Sequence, residues 1–306
     1  MTDILVLENV YKSFGKRMVI DNVSLSVKEG EVFGFLGPNG AGKTTTIKMI
    51  LGLLSIDSGR ITVMGHDIEK GFEKAMKYIS GIVENPDMYG YLSGYDNLLI
   101  HARACGAPRE RIDEVVRIVG MQKRIKDKFK SYSLGMKQRI GVAQALLHNP
   151  KIMIFDEPTN GLDPAGIKEV RDLLKRLAHT EGISVFVSSH ILKEMQEMCD
   201  TVCIINNGRI LRTGSVDELT HDAARGLYRY RLRQMDKAVE LLRENAADRI
   251  SEIGEDYVDL HVSEDEIEIL NRRLVENGIT IYGMSPVETS LEQIFMEITG
   301  GGNIVD

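Results

Sequence analysis

The sequence predicts an α/β protein whose first domain is built on a mainly parallel sheet with an antiparallel β part. Apolar runs of strand length alternate with segments whose apolar residues recur at helical spacing. One run, Glu31–Leu36, ends at a glycine-rich loop that opens a helical segment, and another, Ile152–Phe155, ends in two acids. The charge balance changes near residue 225, which indicates a second, smaller domain after it.

The first domain is predicted to span residues 1–225. Its strands are predicted at Ile4–Tyr11, Val23–Val27, Glu31–Leu36, Arg60–Met64, Ile152–Phe155, Ser184–Val187, Val202–Ile205 and Arg209–Arg212. Its helices are predicted at Thr44–Leu54, 73–80, Pro164–Ala178 and Ile191–Met198. Helical spacing also dominates from about 85 to 149, which predicts a helical arm inserted into the domain. Asn207-Gly208, between the last two strands, is typical of a hairpin turn.

The second domain is predicted to span residues 226–306. Its strands are expected at Tyr228–Arg233, Tyr257–Val262 and Ile279–Tyr282, and its helices at Asp236–Asn245, Asp265–Asn277 and Leu291–Ile298. This β-α-β-α-β order favours a small ferredoxin-like α+β unit. The closing helix has an apolar stripe that must be buried.

Composition excludes several classes of protein. The chain has 306 residues, of which 43% are hydrophobic and 27% charged, so it is neither disordered nor fibrous. It has no apolar run of the roughly 18 residues that a membrane span needs, and we expect no signal peptide. Its three cysteines, without a CxxC pair, predict reduced structural thiols in a cytoplasmic protein.

Charge is distributed unevenly along the chain. The net charge is −7, with 8 basic and 17 acidic residues from Gly226 to Asp306 and 30 basic and 28 acidic residues before that point. A nucleic-acid partner would require a basic face, so we expect no such partner.

The residues after the Glu31–Leu36 run match the phosphate-loop pattern G-x-x-x-x-G-K-[ST]. They are Gly37, Pro38, Asn39, Gly40, Ala41, Gly42, Lys43 and Thr44. Glycines let successive backbone N–H groups turn inward around an anion, and the following helix adds the positive end of its dipole. We therefore expect Lys43 to reach the β- and γ-phosphates of ATP and Thr44 to hold Mg²⁺, with Thr45 completing the nucleotide-binding set of the loop.

Two carboxylates, Asp156 and Glu157, follow the buried strand Ile152–Phe155. Ligands of open α/β sheets bind at the carboxyl ends of strands, where the phosphate loop also lies. Asp156 is thus expected to hold Mg²⁺ through water, and Glu157 to activate the water that attacks the γ-phosphate. His190, at the end of the next strand, is expected to reach the same phosphate.

The order of these motifs resembles the nucleotide-binding subunit of an ABC transporter, over about residues 4–220. The motifs are the phosphate loop, Ser133-Leu134-Gly135-Met136-Lys137-Gln138-Arg139, Asp156-Glu157-Pro158-Thr159, Gly161-Leu162-Asp163-Pro164 and His190. The resemblance implies a dimer, homo- or heteromeric, that sandwiches two ATP molecules, with Ser133 and Gly135 of one chain facing the phosphate loop of the other. Leu134 and Met136 depart from the family's LSGGQ element. The resemblance also assigns adenine stacking to Phe14 and an interface role to Asp163.

Glu84 stands where the family usually has glutamine, in Val83-Glu84-Asn85-Pro86. A carboxylate there is expected to meet Mg²⁺ or the attacking water. This residue, the Ser133–Arg139 element and the tail Ser290–Phe295 resemble the bacitracin and lantibiotic exporter group, whose subunits confer resistance to peptide antibiotics.

The resemblance implies an ATPase on the inner face of the cell membrane, which drives an exporter whose membrane subunits are separate chains. These permease subunits are expected to dock near Met88–Asn97. Two alternatives stay open: a drug, lipid or ion as the cargo, and a non-transport ABC ATPase acting on ribosomes or DNA.

Overall fold

The computed structural model describes residues 2–83, 88–223, 226–287 and 290–299. These residues divide into two compact units, each with its own sheet and core. The first contains the chain up to Val216, together with residues 298–299, and the second is Asp217–Glu297. The boundary that charge predicts, after residue 225, lies beyond a helix that starts at this division, Val216–Ala223.

The first unit contains two sheets. Their strands are β1 (Asp3–Phe14), β2 (Arg17–Lys28), β3 (Val32–Leu36), β4 (Ser58–Val63), β5 (His66–Asp67), β6 (Ile79–Ile82), β7 (Ile152–Asp156), β8 (Ser184–Ser189), β9 (Thr201–Asn206) and β10 (Arg209–Ser215). The larger sheet has the order β10-β9-β3-β8-β7-β6, in which β10 runs antiparallel to β9 and the other pairings are parallel. The smaller sheet, β2-β1-β4-β5, is antiparallel. A mainly parallel sheet with an antiparallel part is thus confirmed.

Helices cover the larger sheet and form the arm. They are α1 (Lys43–Ile50), α2 (Phe72–Met76), α3 (Gly94–Cys105), α4 (Arg109–Ile118), α5 (Leu134–Leu146), α6 (Pro164–His179) and α7 (Leu192–Met198). A further helix, α8 (Val216–Ala223), begins at the division between the units and, apart from Val216, belongs to the second unit. The predicted arm corresponds to α3, α4 and α5, which contact one another. One continuous core joins β1, β2 and β4 to β3, β7, β8 and α1, so the glycine loop between β3 and α1 is anchored on both sides.

The second unit has the strands β11 (Leu227–Leu232), β12 (Ile250–Ile253), β13 (Tyr257–His261) and β14 (Ile281–Pro286) and the helices α9 (Met235–Ala246), α10 (Glu264–Glu276) and α11 (Leu291–Thr299). Its antiparallel sheet has the order β12-β13-β11-β14. The β-α-β-β-α-β succession is the ferredoxin-like arrangement that the sequence predicts, with one more strand than expected. Tyr230, Val258 and Leu260 are buried on one face of the sheet together with residues of α9 and α10.

The local predictions differ from the structure in several places, two of which have a related cause. The segment 73–80 is only partly helical, because α2 ends at Met76 and the edge strand β6 begins at Ile79. A four-residue strand is too short to show an alternating pattern. Strand β12 was missed for a related reason: it lies at the edge of its sheet and its side chains are mostly exposed, so its sequence carries no apolar alternation.

The three cysteines are free thiols, as the sequence predicts. Cys105 is exposed, whereas Cys199 and Cys203 are buried on either side of the α7–β9 junction. Burial raises the pKa of the Cys203 thiol to about 12 and raises that of Cys199 as well. Both buried thiols therefore remain protonated and act as small apolar side chains.

Candidate active site

The phosphate loop connects β3, which is buried along its whole length, to α1, which begins at Lys43. Gly42 lies at the N-cap of α1 with φ 109°, in the left-handed region that favours glycine. A Cβ atom built on Gly42 would lie 2.5 Å from Cδ1 of Ile20 and 3.2 Å from the carbonyl oxygen of Val19, so a larger residue there would displace the Ile20 side chain and crowd the backbone of β2. The loop conformation thus depends on both the backbone freedom and the small size of glycine.

A hairpin turn supports the loop from outside. The backbone N–H of Gly208 donates a hydrogen bond to the carbonyl of Ala41 (3.0 Å), and the carbonyl of Gly208 accepts one from the N–H of Asp21 (2.9 Å). Gly208 has φ 75°, and a Cβ there would overlap the carbonyl oxygen of Val19. The sequence predicted this turn between β9 and β10, but nothing in the pattern showed that it ties the phosphate loop to β2.

Lys43 is 5% exposed and its ammonium group is held inside the loop. Its Nζ donates hydrogen bonds to the carbonyl oxygens of Gly37 (2.8 Å) and Pro38 (3.3 Å). The same nitrogen lies 3.4 Å from Oε1 of Glu157. A buried cation surrounded by carbonyl groups at a helix N-terminus is arranged to bind an anion.

Glu157 follows the last residue of β7 and has φ 49°, a conformation that non-glycine residues adopt only when their surroundings enforce it. Its backbone N–H donates to the hydroxyl of Ser188 (3.0 Å) and to the carbonyl of Ser188 (3.2 Å). Its Oε2 lies 2.8 Å from Nδ1 of His190. The carboxylate of Glu157 therefore lies between Lys43 and His190.

A cleft of about 350 Å³ opens beside these residues. It is lined by Phe14, Arg17, Val19, Asn39, Gly40, Gly42, Lys43, Thr44, Thr45 and Glu157. Phe14 is 51% exposed, and Nζ of Lys12 lies 5.8 Å from the centre of its ring. An exposed aromatic ring at the mouth of a phosphate-binding cleft is suited to stacking on a nucleotide base.

Arg17 and Val19 are cleft residues that the sequence analysis missed. Both belong to the start of β2, which the sequence placed only from Val23. The positive charge of Arg17, three residues after Phe14, is the signal that identifies this side of the cleft.

Ser133, Gly135 and Asp163 do not line this cleft. Ser133 caps α5, where its hydroxyl accepts a hydrogen bond from the N–H of Met136 (3.3 Å), and Asp163 caps α6 by accepting one from the N–H of Gly166 (3.0 Å). A Cβ on Gly135 would lie 4.0 Å from Cα of Gly166, so the two helix starts are neighbours. The structure thus brings these residues to each other rather than to the phosphate loop.

The donors for a metal ion are hard oxygen atoms. Thr44 lines the cleft, and Asp156 ends β7 with its Oδ1 accepting a hydrogen bond from the Ser188 hydroxyl (2.5 Å). A hydroxyl and a carboxylate suit Mg²⁺, which keeps waters and takes phosphate oxygens as further ligands. Within the residues that the structure describes, no group of three or more His, Cys, Asp or Glu side chains forms a metal site. Glu84, the third predicted metal ligand, lies outside the described residues.

Among the helices of the described ranges, none is both long enough and apolar enough to cross a membrane.

Comparison with known proteins agrees with this geometry. Residues 20–160 match the family described as ABC transporter. The ABC transporter ATP-binding protein YhcH of Bacillus subtilis (strain 168) is 46% identical over 98% of this chain and 97% of its own length. The bacitracin transport ATP-binding protein BcrA of Bacillus licheniformis is 40% identical over 99% of this chain and 100% of its own.

Among solved structures, cbiO1 from Clostridium perfringens, part of the ABC transporter complex cbiONQ, has a TM-score of 0.68 and 25% identity. The match covers 81% of this chain and 97% of cbiO1. With relatives this similar over nearly its entire length, the chain belongs to the ABC transporter family as an ATP-binding subunit, an ATPase whose activity is coupled to transport.

Proposed function

We propose that the cleft beside the phosphate loop is the site where this ATPase binds ATP with Mg²⁺ and hydrolyses it. The observation that carries the proposal is the position of the Glu157 carboxylate, which lies 3.4 Å from Lys43 Nζ and 2.8 Å from His190 Nδ1. A cation, a base and a second polar group at the carboxyl end of a parallel sheet are the groups that phosphoryl transfer to water requires.

Each of these residues has a distinct task in the proposed reaction. Lys43 and the backbone N–H groups of residues 39–44 bind the β- and γ-phosphates, and Phe14 stacks on the adenine. Glu157 accepts the proton of the attacking water through one carboxylate oxygen. His190 holds the other oxygen and contacts the γ-phosphate. Thr44 and Asp156 are the residues that would hold Mg²⁺, which when bound offsets the negative charge of the phosphates.

The residues that cap α5 and α6 complete the site of a second ATPase subunit in this proposal. Ser133 and the N–H of Gly135 lie at the start of α5, where backbone N–H groups favour an anion. Asp163 lies on the neighbouring cap and reaches across the subunit interface. The proposal is supported by the absence of all three residues from the lining of this chain's own cleft.

Glu84 is proposed to sense the metal and the γ-phosphate in place of the glutamine usual in the family. A carboxylate binds hard cations more strongly than an amide does. Substituting Glu84→Ala is therefore expected to change the ratio of Mg²⁺-supported to Mn²⁺-supported hydrolysis while leaving ATP affinity within about threefold. Identical titrations of both metals in the variant and the wild type would show that Glu84 has no such role.

We further propose that this ATPase works on the inner face of the cell membrane and drives export of a peptide antibiotic or a similar amphipathic compound. The similarity to BcrA, a bacitracin transport protein matched along its full length, supports this cargo. Docking of the permease subunits is proposed at Met88–Asn97, where Tyr89 and Tyr91 are exposed. Helix α3, which begins within this stretch, borders a groove of about 560 Å³ together with α5 and β6.

The experiment is a susceptibility panel with matched strains. One strain carries this subunit with its membrane partners, one carries the Glu157→Gln variant, and one lacks the complex. The functional complex is expected to raise the inhibitory concentration of bacitracin or a lantibiotic several-fold, and the variant is expected to match the deleted strain. A change confined to unrelated drugs or to ion tolerance would reassign the cargo, and unchanged tolerance throughout would contradict export of toxic compounds.

A further inference from the structure

Ser188 connects the two acids at the end of β7, although no sequence motif singles it out. We propose that Ser188 is a positioning residue for ATP hydrolysis, whose hydroxyl orients the Asp156 carboxylate and stabilises the turn that carries Glu157. The inference deepens the proposed function, because it rests on the roles assigned there to these acids.

The register of the sheet explains why this serine is in reach. Strands β7 and β8 are parallel neighbours, and Asp156 pairs with Ser188. Directly paired residues of adjacent strands project to the same face of a sheet, so the two side chains meet. The Ser188 hydroxyl donates to Oδ1 of Asp156 at 2.5 Å. Ser188 is 0% exposed, so water does not compete for this bond.

The same hydroxyl oxygen also accepts a hydrogen bond. A serine hydroxyl has one proton to donate and two lone pairs to accept with. Donation to Asp156 uses the proton, and the N–H of Glu157 donates to the oxygen at 3.0 Å. One buried atom therefore contacts the side chain of one acid and the backbone of the next.

The backbone bond matters because Glu157 has φ 49°. A non-glycine residue keeps a left-handed conformation only where its surroundings stabilise it. Two bonds from the Glu157 N–H, to the hydroxyl and to the carbonyl of Ser188, do so here. In this conformation the Glu157 carboxylate lies between Lys43 and His190.

The bond to Asp156 has a separate consequence. A carboxylate that holds a metal is commonly oriented by a neighbouring donor, and loss of such a donor typically costs 10- to 100-fold in metal affinity or activity. Ser188 is that donor for Asp156, and it fixes the rotation of the carboxylate through Oδ1. The predicted effect of its loss therefore appears in metal dependence as well as in turnover.

The test compares Ser188→Ala with the wild type in the full chain. The variant is expected to lower kcat about tenfold and to raise the Mg²⁺ concentration for half-maximal binding of a fluorescent ATP analogue about tenfold. Affinity for the analogue in EDTA is expected to stay within about twofold, because the phosphate loop is unchanged. Ser188→Thr keeps the hydroxyl and is expected to recover most of both losses.

Ser184→Ala is the matched control. Ser184 lies on the same strand and the same face, is equally buried, and accepts a hydrogen bond from the N–H of Gly30 (2.9 Å) at the opposite end of β8. This variant loses a similar bond but is expected to keep wild-type metal dependence. Equal shifts in Ser184→Ala and Ser188→Ala would show a packing effect and overturn the proposal.

Wild-type kcat and Mg²⁺ dependence in a folded Ser188→Ala would also overturn it. If that variant does not fold, Ser188→Cys keeps the side-chain volume with only a weak donor, and the same shifts are expected there. Normal metal dependence in Ser188→Cys would then overturn the proposal. Failure of the proposed function is distinguishable, because wild-type hydrolysis by Glu157→Gln would refute the role of Glu157 without changing the Mg²⁺-dependent binding that reports on Asp156.

Discussion

Lys43 in the first unit and Asp259 in the second are both buried charges, at 5% and 2% exposure, but their partners differ. Lys43 contacts two backbone carbonyls and lies 3.4 Å from Glu157, beside an open cleft. Asp259 is bound by both Nε and Nη2 of Arg229, at 2.8 and 2.7 Å. The guanidinium group also lies 3.7 Å from the centre of the Tyr257 ring.

The comparison shows that a buried charge does not by itself indicate a site. The carboxylate of Asp259 receives a bidentate partner and raises the pKa of Arg229, so each ion already has its complement. The charge of Lys43 faces neutral carbonyls and one looser carboxylate, in a position where an anion can be added. The first arrangement predicts a role in stability, and the second predicts a role in binding and catalysis.

The largest effect that tests this comparison is expected from Glu157→Gln. The amide keeps the shape of the side chain but cannot accept the proton of water, so hydrolysis is expected to fall on the order of 10²- to 10⁴-fold. ATP binding should persist, because the phosphate loop is intact, and an ATP-loaded dimer should accumulate. Phosphate release and size-exclusion chromatography measure the two outcomes.

Lys43→Ala is the comparison variant for Glu157→Gln. It removes the charge that binds phosphate and should abolish nucleotide binding itself. Turnover at the wild-type rate in Glu157→Gln would contradict the assignment of the base. Loss of ATP binding in that variant would instead assign Glu157 to binding.

A smaller effect, on stability rather than on hydrolysis, is expected from Asp259→Asn. The substitution removes the charged half of a bidentate pair, but Arg229 is 32% exposed and keeps part of its hydration. We expect a loss of about 1–2 kcal/mol in the free energy of unfolding, below the full cost of breaking a buried ion pair. ATP hydrolysis should stay within about twofold of the wild type. Urea unfolding and phosphate release test both expectations.

Asp156→Asn is expected to have the reverse effect of Asp259→Asn, because the Asp156 carboxylate is at the end of β7 beside the cleft. It is expected to lower hydrolysis far more than stability. Similar activity losses in Asp156→Asn and Asp259→Asn would show that the second unit contributes to catalysis.

The sequence predicted the strand, loop and helix that form the first unit's candidate site, because these features are local. A strand, a glycine loop and a helix are contiguous, so Gly42 and Lys43 could be assigned from spacing alone. Strand-end placement likewise brought Asp156 and His190 to the correct edge of the sheet. Residues that act across the fold could not be found in this way. Ser188 meets Asp156 only through the register of β7 and β8, and Gly208 meets Ala41 only through a hairpin distant in sequence.

The second unit was predicted less completely for a physical reason. Its core strands β11 and β13 alternate apolar or aromatic residues with charged ones, and that alternation is visible in the sequence. Its edge strand β12 has no such pattern. The Arg229–Asp259 pair also could not be predicted, because it joins two strands whose register no local signal specifies.

The smallest effect is expected from ending the chain after residue 225, which tests the proposal that residues 226–306 form an accessory domain. Every described residue that lines the cleft lies before this point. Nucleotide affinity measured by calorimetry should therefore stay within about threefold of the full chain, because no direct contact is removed. Stability should fall, since the deletion removes Ile298, which groups with the first unit. A thermal melt must establish that the shortened chain is folded, and adding saturating ATP should raise its midpoint as it does for the full chain. If the shortened chain is folded but no longer binds ATP, the removed residues contribute to the nucleotide site. The proposal that residues 226–306 form an accessory domain outside the site would then be wrong.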